Sequence, residues 1–514
     1  MRFYQLLALV TFSLIFTNSF ATDSATINMS LIKKFNQLDK TETNLGKLIQ
    51  YNNTMLPEHL IPWEGSYWPH RTGSIAFRKK ALARIDWGIN FLFGAKNYVR
   101  KITSKIEANK QKFDKLSSKD IKKMSAVEKY DVLIGDRNFS TTRNILRSIT
   151  NNHHYWGRTT NWTGICHGWT PASIHFGRPL KSVMAKGSSG QDIEFTIEDL
   201  KALSSYLFSN SVISENTVFI GNRCNVDKPG LDPETKLVRE VEKFTRNPGE
   251  CSDINPAYFF LTLYNRIGIK QKSFIVDIDY NSPVNNHPVA GFKTEMVNLV
   301  TNEKVNNLRH ALVPIAMLEN DRFAKIRNEQ AHFVVQFKTK VYYVDWIRPG
   351  VSKESREKDK RFTSRTYSYQ LELDKKLKIV GGQWTYDKKN IQSPDFIWVY
   401  PDAAYPHEFN TNLSQGIDYT HNEPINPRLT KAAIYSSNAK LRTNYYTRVR
   451  HPKSKELGIH ERAEKYAKEN EIHLRDTQDK FIEELNKNNV PFWIANPQLI
   501  SKIINSLMDE STQQ

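Results

Sequence analysis

The sequence predicts an α+β protein, and three observations predict it. Apolar residues recur at helical spacing over Ala76–Phe93 and Asp120–Leu133. From Ser273 the rhythm changes to short alternating runs, over 274–278, 333–337, 341–346 and 367–373, which is the signature of antiparallel strands. After about Arg428 charge density rises and helical spacing returns, over 459–486 and again over 496–508. Helices, then strands, then helices make an antiparallel sheet with helical flanks. At 514 residues the chain exceeds one ordinary core, so two or three lobes are expected.

Residues 1–21 read as a secretory signal peptide. Arg2 supplies the charged start, Leu6–Phe16 an apolar run too short to span a bilayer, and Ser19-Phe20-Ala21 a small-x-small cleavage site. The mature chain is expected to begin after Ala21, in a secreted or periplasmic protein without a transmembrane segment. Residues 22–145 form an expected N-terminal helical region, opening on a polar lead-in to about residue 60. Its boundary with the core falls in the Ser-, Thr-, Asn- and Arg-rich run between Asn138 and Asn152. The core is expected over 146–427 and a C-terminal helical region over 428–514.

Within the core, Thr170-Pro171 reads as an N-cap followed by the first helical position, where proline's missing N–H costs nothing. Gly177, with Pro179 just beyond, reads as the end of that helix. Thr196-Ile197-Glu198-Asp199 has the shape of a capping box before an apolar face of Leu200, Leu203 and Leu207.

The formal charge is +19, and only one positive charge leaves with the signal segment. The lysines are spread widely with acids among them, which is the pattern of a solvated face rather than a nucleic-acid groove. Export argues further against DNA or RNA. A cationic exported surface points instead to an anionic cell surface as a partner.

Chemistry concentrates in Trp162-Thr163-Gly164-Ile165-Cys166-His167-Gly168-Trp169-Thr170-Pro171-Ala172. A cysteine entering a helix meets the positive end of the helix dipole and unpaired N–H groups, both of which favour the thiolate that attacks carbonyl carbon. Of the three cysteines, Cys224 and Cys251 are then left to pair in an oxidising compartment, closing a loop poor in apolar residues. Such a bridge contributes about 3 kcal/mol in the chain-entropy account.

This stretch resembles the active-site signature of the elicitor-type transglutaminases, secreted oomycete and bacterial enzymes, approximately W-x-G-x-C-H-G-W-A-P-A. Three further landmarks resemble that family's. Cys251-Ser252-Asp253-Ile254-Asn255-Pro256 is similar to its C-x-D-x-N-P. Val284-Asn285-Asn286-His287-Pro288-Val289-Ala290-Gly291-Phe292 is similar to its hallmark peptide V-W-N-Q-P-V-x-G-F. Gly381-Gly382-Gln383-Trp384 and Pro394-Asp395-Phe396-Ile397-Trp398 are similar to its G-G-E-W and P-D-F-x-W. Here Thr170 replaces an alanine, Asn285 a tryptophan and His287 a glutamine, and Ala257-Tyr258 follows where glycine is usual.

The resemblance implies a papain-like, transglutaminase-like core, and no residue is read as a cofactor or metal ligand. Cys166 would form a thioester with a protein glutamine, and a lysine amine would open it to an isopeptide. The expected partners are therefore protein substrates bearing Gln and Lys. Trp162 and Trp169 are candidates to wall the cleft, and His287, in the hallmark peptide, to contact substrate. The base is expected in His332. If Lys338-Thr339 turns the chain, His332 lies opposite Asp345 across a hairpin, close enough for the carboxylate to hold the imidazole. Family order (cysteine, histidine, aspartate) agrees. Two other readings use the same residues: a papain-like peptidase or peptidoglycan amidase, and an exported binding protein with a vestigial site.

Overall fold

The computed structural model describes residues 27–78, 94–156, 162–187, 189–210, 217–222, 254–279, 283–348, 362–385, 393–400 and 498–512. The expected signal segment, the Cys224–Cys251 pair and the helical pattern over 459–486 lie outside them. Beyond single turns, the helices are α1 (Met29–Asn36), α2 (Gly94–Gln111), α3 (Ala126–Ile134), α4 (Ser140–Trp156), α5 (Cys166–His175), α6 (Ile197–Asn210), α7 (Pro256–Thr262) and α8 (Gln498–Thr512). The strands are β1 (Asn53–Met55), β2 (Val183–Lys186), β3 (Asp192–Phe195), β4 (Val218–Gly221), β5 (Ile275–Asp277), β6 (Asn286–Val297), β7 (Lys304–Val305), β8 (Val313–Pro314), β9 (Phe333–Val344), β10 (Phe362–Leu373), β11 (Ile379–Trp384) and β12 (Phe396–Val399). Helices and antiparallel sheet segregate along the chain, so the protein is α+β.

The chain divides into two units, each built from separated segments. The first joins 1–64 to 214–346 and 354–403, and the second joins 65–213 to 347–353 and 404–514. The expected boundary between Asn138 and Asn152 falls inside α4 instead. A run of Ser, Thr, Asn and Arg is no barrier to a helix whose apolar face, including Ile145, Leu146 and Ile149, is buried.

In the first unit the described strands form a sheet ordered β11-β10-β9-β6-β5-β12-β4, with β1 and β7 beside β6 and β8 beside β9. Its core helix is α7. Asn255 caps it by accepting from the Ala257 amide, and Pro256 sits in the first turn. Every residue of α7 is buried, as an all-round apolar helix must be. It continues as a π-helix over Leu263–Ile269. Phe260 stacks on Tyr264 at 3.9 Å and reaches Phe337 of β9, and Phe259 meets Tyr367 of β10 edge-on at 5.4 Å. Burying each such ring is worth about 1.5–3 kcal/mol.

One expected element is corrected here. The hairpin turning at Lys338-Thr339 does not exist, because β9 runs unbroken for twelve residues and pairs along its whole length with β10, from Phe362↔Val344 to Leu373↔Phe333. Lys-Thr offers neither glycine nor asparagine for the positive φ of a two-residue turn. The inside-outside alternation also continues through it, with Lys338 and Lys340 exposed and Thr339 buried. The Thr339 hydroxyl joins those of Thr294 and Tyr369 at 2.9 and 2.6 Å, which ties β9 to both neighbours.

The second unit is mostly helical. Ser125 and Glu128 form a capping box on α3, and Glu128 also receives the buried guanidinium of Arg78. The expected capping box on α6 is present: the Thr196 amide donates to Asp199 at 2.9 Å and the Asp199 amide to the Thr196 hydroxyl at 3.2 Å. Leu200, Leu203 and Leu207 are buried. Helix α8, close to the expected 496–508, packs on α6, and the Ser511 hydroxyl donates to the Lys181 carbonyl at 2.5 Å.

Candidate functional site

In the second unit the cysteine loop is held by the neighbouring segment Tyr67–His70. The Ile165 amide donates to the Tyr67 carbonyl at 2.7 Å and the His70 amide to the Thr163 carbonyl at 3.0 Å. Gly164 makes this approach possible, since a Cβ there would lie 2.2 Å from the Tyr67 carbonyl oxygen and 2.8 Å from its ring. The helix begins at Cys166 with Ile165 as its cap, five residues earlier than the expected cap at Thr170 and start at Pro171. The Ile165 carbonyl accepts from both the Gly168 and Trp169 amides, and the Thr170 hydroxyl donates back to the Cys166 carbonyl at 3.0 Å. Thr170 is thus an interior residue, and Pro171 sits inside α5.

The consequence favours the chemistry. Cys166 occupies the first helical position, where its N–H lacks an intrahelical partner and the helix dipole favours negative charge. Among the described residues it is the one cysteine, and it is buried but at 8% exposure not fully enclosed. Gly168 lets α5 lie directly against α6, because a Cβ there would meet the Ser205 carbonyl oxygen at 2.1 Å.

The histidines nearest in sequence do other things. Desolvation pushes His167 down to about 4, against a hydrogen bond to the Ser209 backbone that pulls the other way. Desolvation, helped by His167, likewise pushes His70 down to about 4. Both are neutral near pH 7. His175 packs against Phe208, ring centroids 5.4 Å apart. Trp162 is half-buried, whereas Trp169 is 1% exposed, so the Trp169 indole packs instead of walling an open cleft.

In the first unit the structure separates the expected His332–Asp345 pair. His332 is exposed just before β9, where its amide donates to the Leu373 carbonyl at 2.7 Å and its carbonyl accepts from the Ile315 amide at 3.0 Å. Asp345 follows the other end of the same strand. Thirteen residues of extended chain span about 43 Å, so the two cannot act as a couple.

Asp345 has a different histidine. Strands β6 and β9 pair Val289↔Tyr343, a register that, continued by two residues, would set His287 opposite Asp345, and the Asp345 charge is felt at the imidazole. The His287 Nδ1 lies 2.8 Å from the Val344 carbonyl oxygen, and Nε2 lies 3.1 Å from the Asn285 Oδ1. A carbonyl only accepts, so Nδ1 carries the proton. The Asn285 Oδ1 only accepts, so its contact is a hydrogen bond when Nε2 is protonated as well, or when the amide is turned over to present its NH₂. Desolvation lowers the His287 pKa, while the Val344 carbonyl and the Asp345 carboxylate raise it by stabilising the cation. His287 is therefore an oriented base that feels a carboxylate. The sequence placed it in the hallmark peptide as a substrate contact. Its partnership with Asp345 depends on strand pairing between segments far apart in the chain. Tyr67 and Arg71, beside the cysteine loop, carried no sequence signal.

The family landmarks of the first unit interlock. The Trp384 Nε1 donates to the Ile254 carbonyl at 2.7 Å, and the Trp398 Nε1 to the Asn286 side chain at 3.0 Å. Among the described residues, no helix is long and apolar enough to cross a membrane.

A family model described as "Transglutaminase elicitor" matches residues 32–425, well over half of the chain. Among solved structures the chain is similar to one described as "Crystal structure of the GP42 transglutaminase from Phytophthora sojae". The identity is 21% and the TM-score 0.49, covering 76% of this chain and 97% of that one. No curated protein matches.

Proposed function

The chain belongs to the transglutaminase elicitor family, and from that premise we propose that it is a secreted protein-glutamine γ-glutamyltransferase with Cys166 as nucleophile. The observation that carries this reading is Cys166 at the first position of α5, on a loop fixed by the Tyr67 and His70 main chain. The Cys166 thiolate attacks the glutamine side-chain carbonyl carbon, giving a tetrahedral intermediate. Protonated base gives its proton to the amide nitrogen, the C–N bond breaks, and ammonia leaves a thioester. A lysine amine then attacks the thioester and gives its proton to the neutral base. The C–S bond breaks, which returns the thiolate and releases the isopeptide. Water in place of the amine yields glutamate, a deamidation.

For the base we propose His287, whose Nδ1 is oriented by the Val344 carbonyl and whose cation the Val344 carbonyl and the Asp345 charge favour against the desolvation that lowers its pKa. Cys224 and Cys251 are assigned to a disulfide that leaves Cys166 free. The substrates are proteins bearing Gln and Lys, and the basic surface adds attraction to an anionic cell surface.

The test is incorporation of a primary amine into a glutamine-bearing protein by the purified mature chain, with mass mapping of the unreduced form. Wild type should couple the amine and Cys166→Ala should lose this without loss of fold. Fragments instead of higher-mass products would replace the reading with the peptidase. No product from a folded wild type would leave the binding protein. A disulfide that includes Cys166 in the active form would overturn the nucleophile.

A further inference from the structure

In the first unit, strands β6, β9 and β10 turn one face to α7, where Phe337 meets Phe260 and Tyr367 meets Phe259. The alternate residues of each strand form the opposite face. There Lys293 of β6 lies directly opposite Lys340 of β9, which lies opposite Thr366 of β10. One step along the strands Lys338 stands between Glu295 and Ser368, and one step the other way Tyr342 stands beside Ser364. We propose that this face of the sheet is a docking surface for an acidic polysaccharide. The inference gives the anionic partner a place on the molecule, and it rests on that part of the proposed function, not on the thioester chemistry.

The lysines are placed against the stability of the sheet. Directly opposed residues have Cβ atoms about 5 Å apart, and like charges in such a pair work against it. Lys293, Lys338 and Lys340 are exposed. The carboxylate among them, Glu295, is taken by a fourth lysine, Lys304, at 2.6 Å. The Lys304 hydrogen bond, with the Lys293 and Lys338 charges beyond it, holds the Glu295 carboxyl below its ordinary value, so this acid is already committed. Among the described residues no ion pair takes up Lys293, Lys338 or Lys340. Charges that oppose the fold and stay unanswered within it are explained by an anion that comes from outside.

The rest of the face selects the kind of anion. The Lys340 Nζ lies 5.3 Å from the ring centroid of half-buried Tyr342. A ring beside an ammonium suits an acidic sugar, whose C–H face packs on the ring while its carboxylate or sulfate meets the charge. Ser364 and Thr366 add exposed hydroxyls, which give and accept hydrogen bonds as sugar hydroxyls do. Lysines on flexible stems also follow the uneven spacing of anions along a polymer. A membrane surface would instead call for apolar side chains inserting beside the lysines. The large apolar side chain exposed here is Met55, at the corner next to Gly291.

Calorimetric titration of the purified mature chain with polygalacturonate, at low and at physiological salt, tests the surface. Wild type should bind, more weakly as salt rises, and should ignore neutral dextran. Lys293→Gln, Lys338→Gln and Lys340→Gln together should weaken binding roughly 10- to 100-fold, the effect of losing three exposed ion pairs. Their melting temperature should be no lower than wild type, because the opposed lysines are gone. Lys375→Gln, Lys376→Gln and Lys378→Gln together remove the same charge from exposed positions around the β10–β11 turn, and affinity should stay within about twofold. Tyr342→Leu leaves the charge unchanged and should weaken binding about fivefold. Equal losses in the two triple variants would mean net charge alone and overturn the proposal. Full affinity in Tyr342→Leu would leave a bare ammonium patch and overturn the sugar assignment. Binding to mixed phosphatidylcholine–phosphatidylserine vesicles without binding to polygalacturonate would put a membrane in its place. No binding by wild type to either would overturn this surface and the anionic partner together, while amine incorporation through Cys166 would be untouched.

Discussion

Replacing Gly168 by alanine tests whether α5 and α6 are as close as the geometry requires. Alanine is the better helix former by about 1 kcal/mol, so an isolated α5 would be stabilised. In the folded unit the new Cβ would lie 2.1 Å from the Ser205 carbonyl oxygen, 2.6 Å from the Ser209 Cβ and 2.9 Å from the Ser209 amide. Two of these three atoms are backbone, so no rotamer change relieves the overlap. The helices must part by about 1 Å, at the upper end of the roughly 1–3 kcal/mol that overpacking costs. After the propensity gain the net loss is about 2 kcal/mol. At roughly 2–4 °C per kcal/mol for a unit of this size, the melting temperature should drop by about 4–8 °C. The displacement also moves Cys166, and a misplacement of about 1 Å can cost 10²-fold in turnover. Thermal unfolding followed by circular dichroism, with the alkylation rate of Cys166 measured in parallel, reads both effects. Gly190, at φ +83° with nothing within 4 Å, is the control, since alanine there meets backbone strain alone. A Gly168→Ala variant more stable than wild type would refute the close packing and with it the placement of Cys166.

His287→Gln, the residue usual in the family, should lower turnover by roughly 10²–10⁴, the worth of a general base, and His332→Ala should leave it within about twofold, as an exposed residue without such a role. Steady-state kinetics on both decide between the two histidines, and the opposite ranking sinks the assignment. Asp345→Asn should fall between them, because the amide keeps shape but loses the charge that supports the imidazolium. A pH prediction comes from Asp131, wholly buried on α3, where desolvation and then Asp136 raise its pKa well above the usual value, against the Thr142 hydrogen bonds. The folded state therefore holds a proton that the unfolded state releases near pH 3.8. That contribution to stability is full at lower pH and is lost as pH rises through the raised value. Asp131→Asn cannot lose it, so its melting temperature relative to wild type should climb from pH 4 to pH 7. A flat difference would mean that Asp131 is ionised in the native protein.

Local signals were legible in the sequence, and long-range pairings were not. The capping box at Thr196–Asp199 was visible because four consecutive residues specify it and no tertiary partner is needed. The end of α5 before Gly177 was visible for the same reason. Its start was misplaced because Thr170-Pro171 imitates a cap, while the real start is set by Tyr67, almost a hundred residues away. Strand β9 was split at Lys338-Thr339 because two lysines look like a polar turn. They are the outward residues of a strand whose inward Thr339 is claimed by Thr294 and Tyr369. The expected pairing of His332 with Asp345 fell with it, since an unbroken β9 puts the two at opposite ends of one strand. The segment boundaries were missed because residues 27–64 join the sheet unit through β1, which pairs with β6.

Strand β6 explains why His287 is a credible base although the family usually carries glutamine there. Successive residues of a strand point to opposite faces. Asn286 turns its side chain to the indole N–H of Trp398, at 3.0 Å, so the tail landmark anchors the start of the hallmark peptide. His287 must then point the other way, where its Nδ1 meets the Val344 carbonyl and Asn285 stands beside Nε2. Asn285 stands where the family pattern has tryptophan, and its side-chain amide gives Nε2 a polar partner at 3.1 Å, which an indole carbon face could not do. Asn285 and His287 therefore form a local pair, with the side-chain amide and the ring nitrogen 3.1 Å apart. Restoring tryptophan at Asn285 alone would leave His287 without that contact. It would then depend on Val344 and Asp345 for its orientation, so the double change to tryptophan and glutamine should cost less stability than the sum of the two single changes.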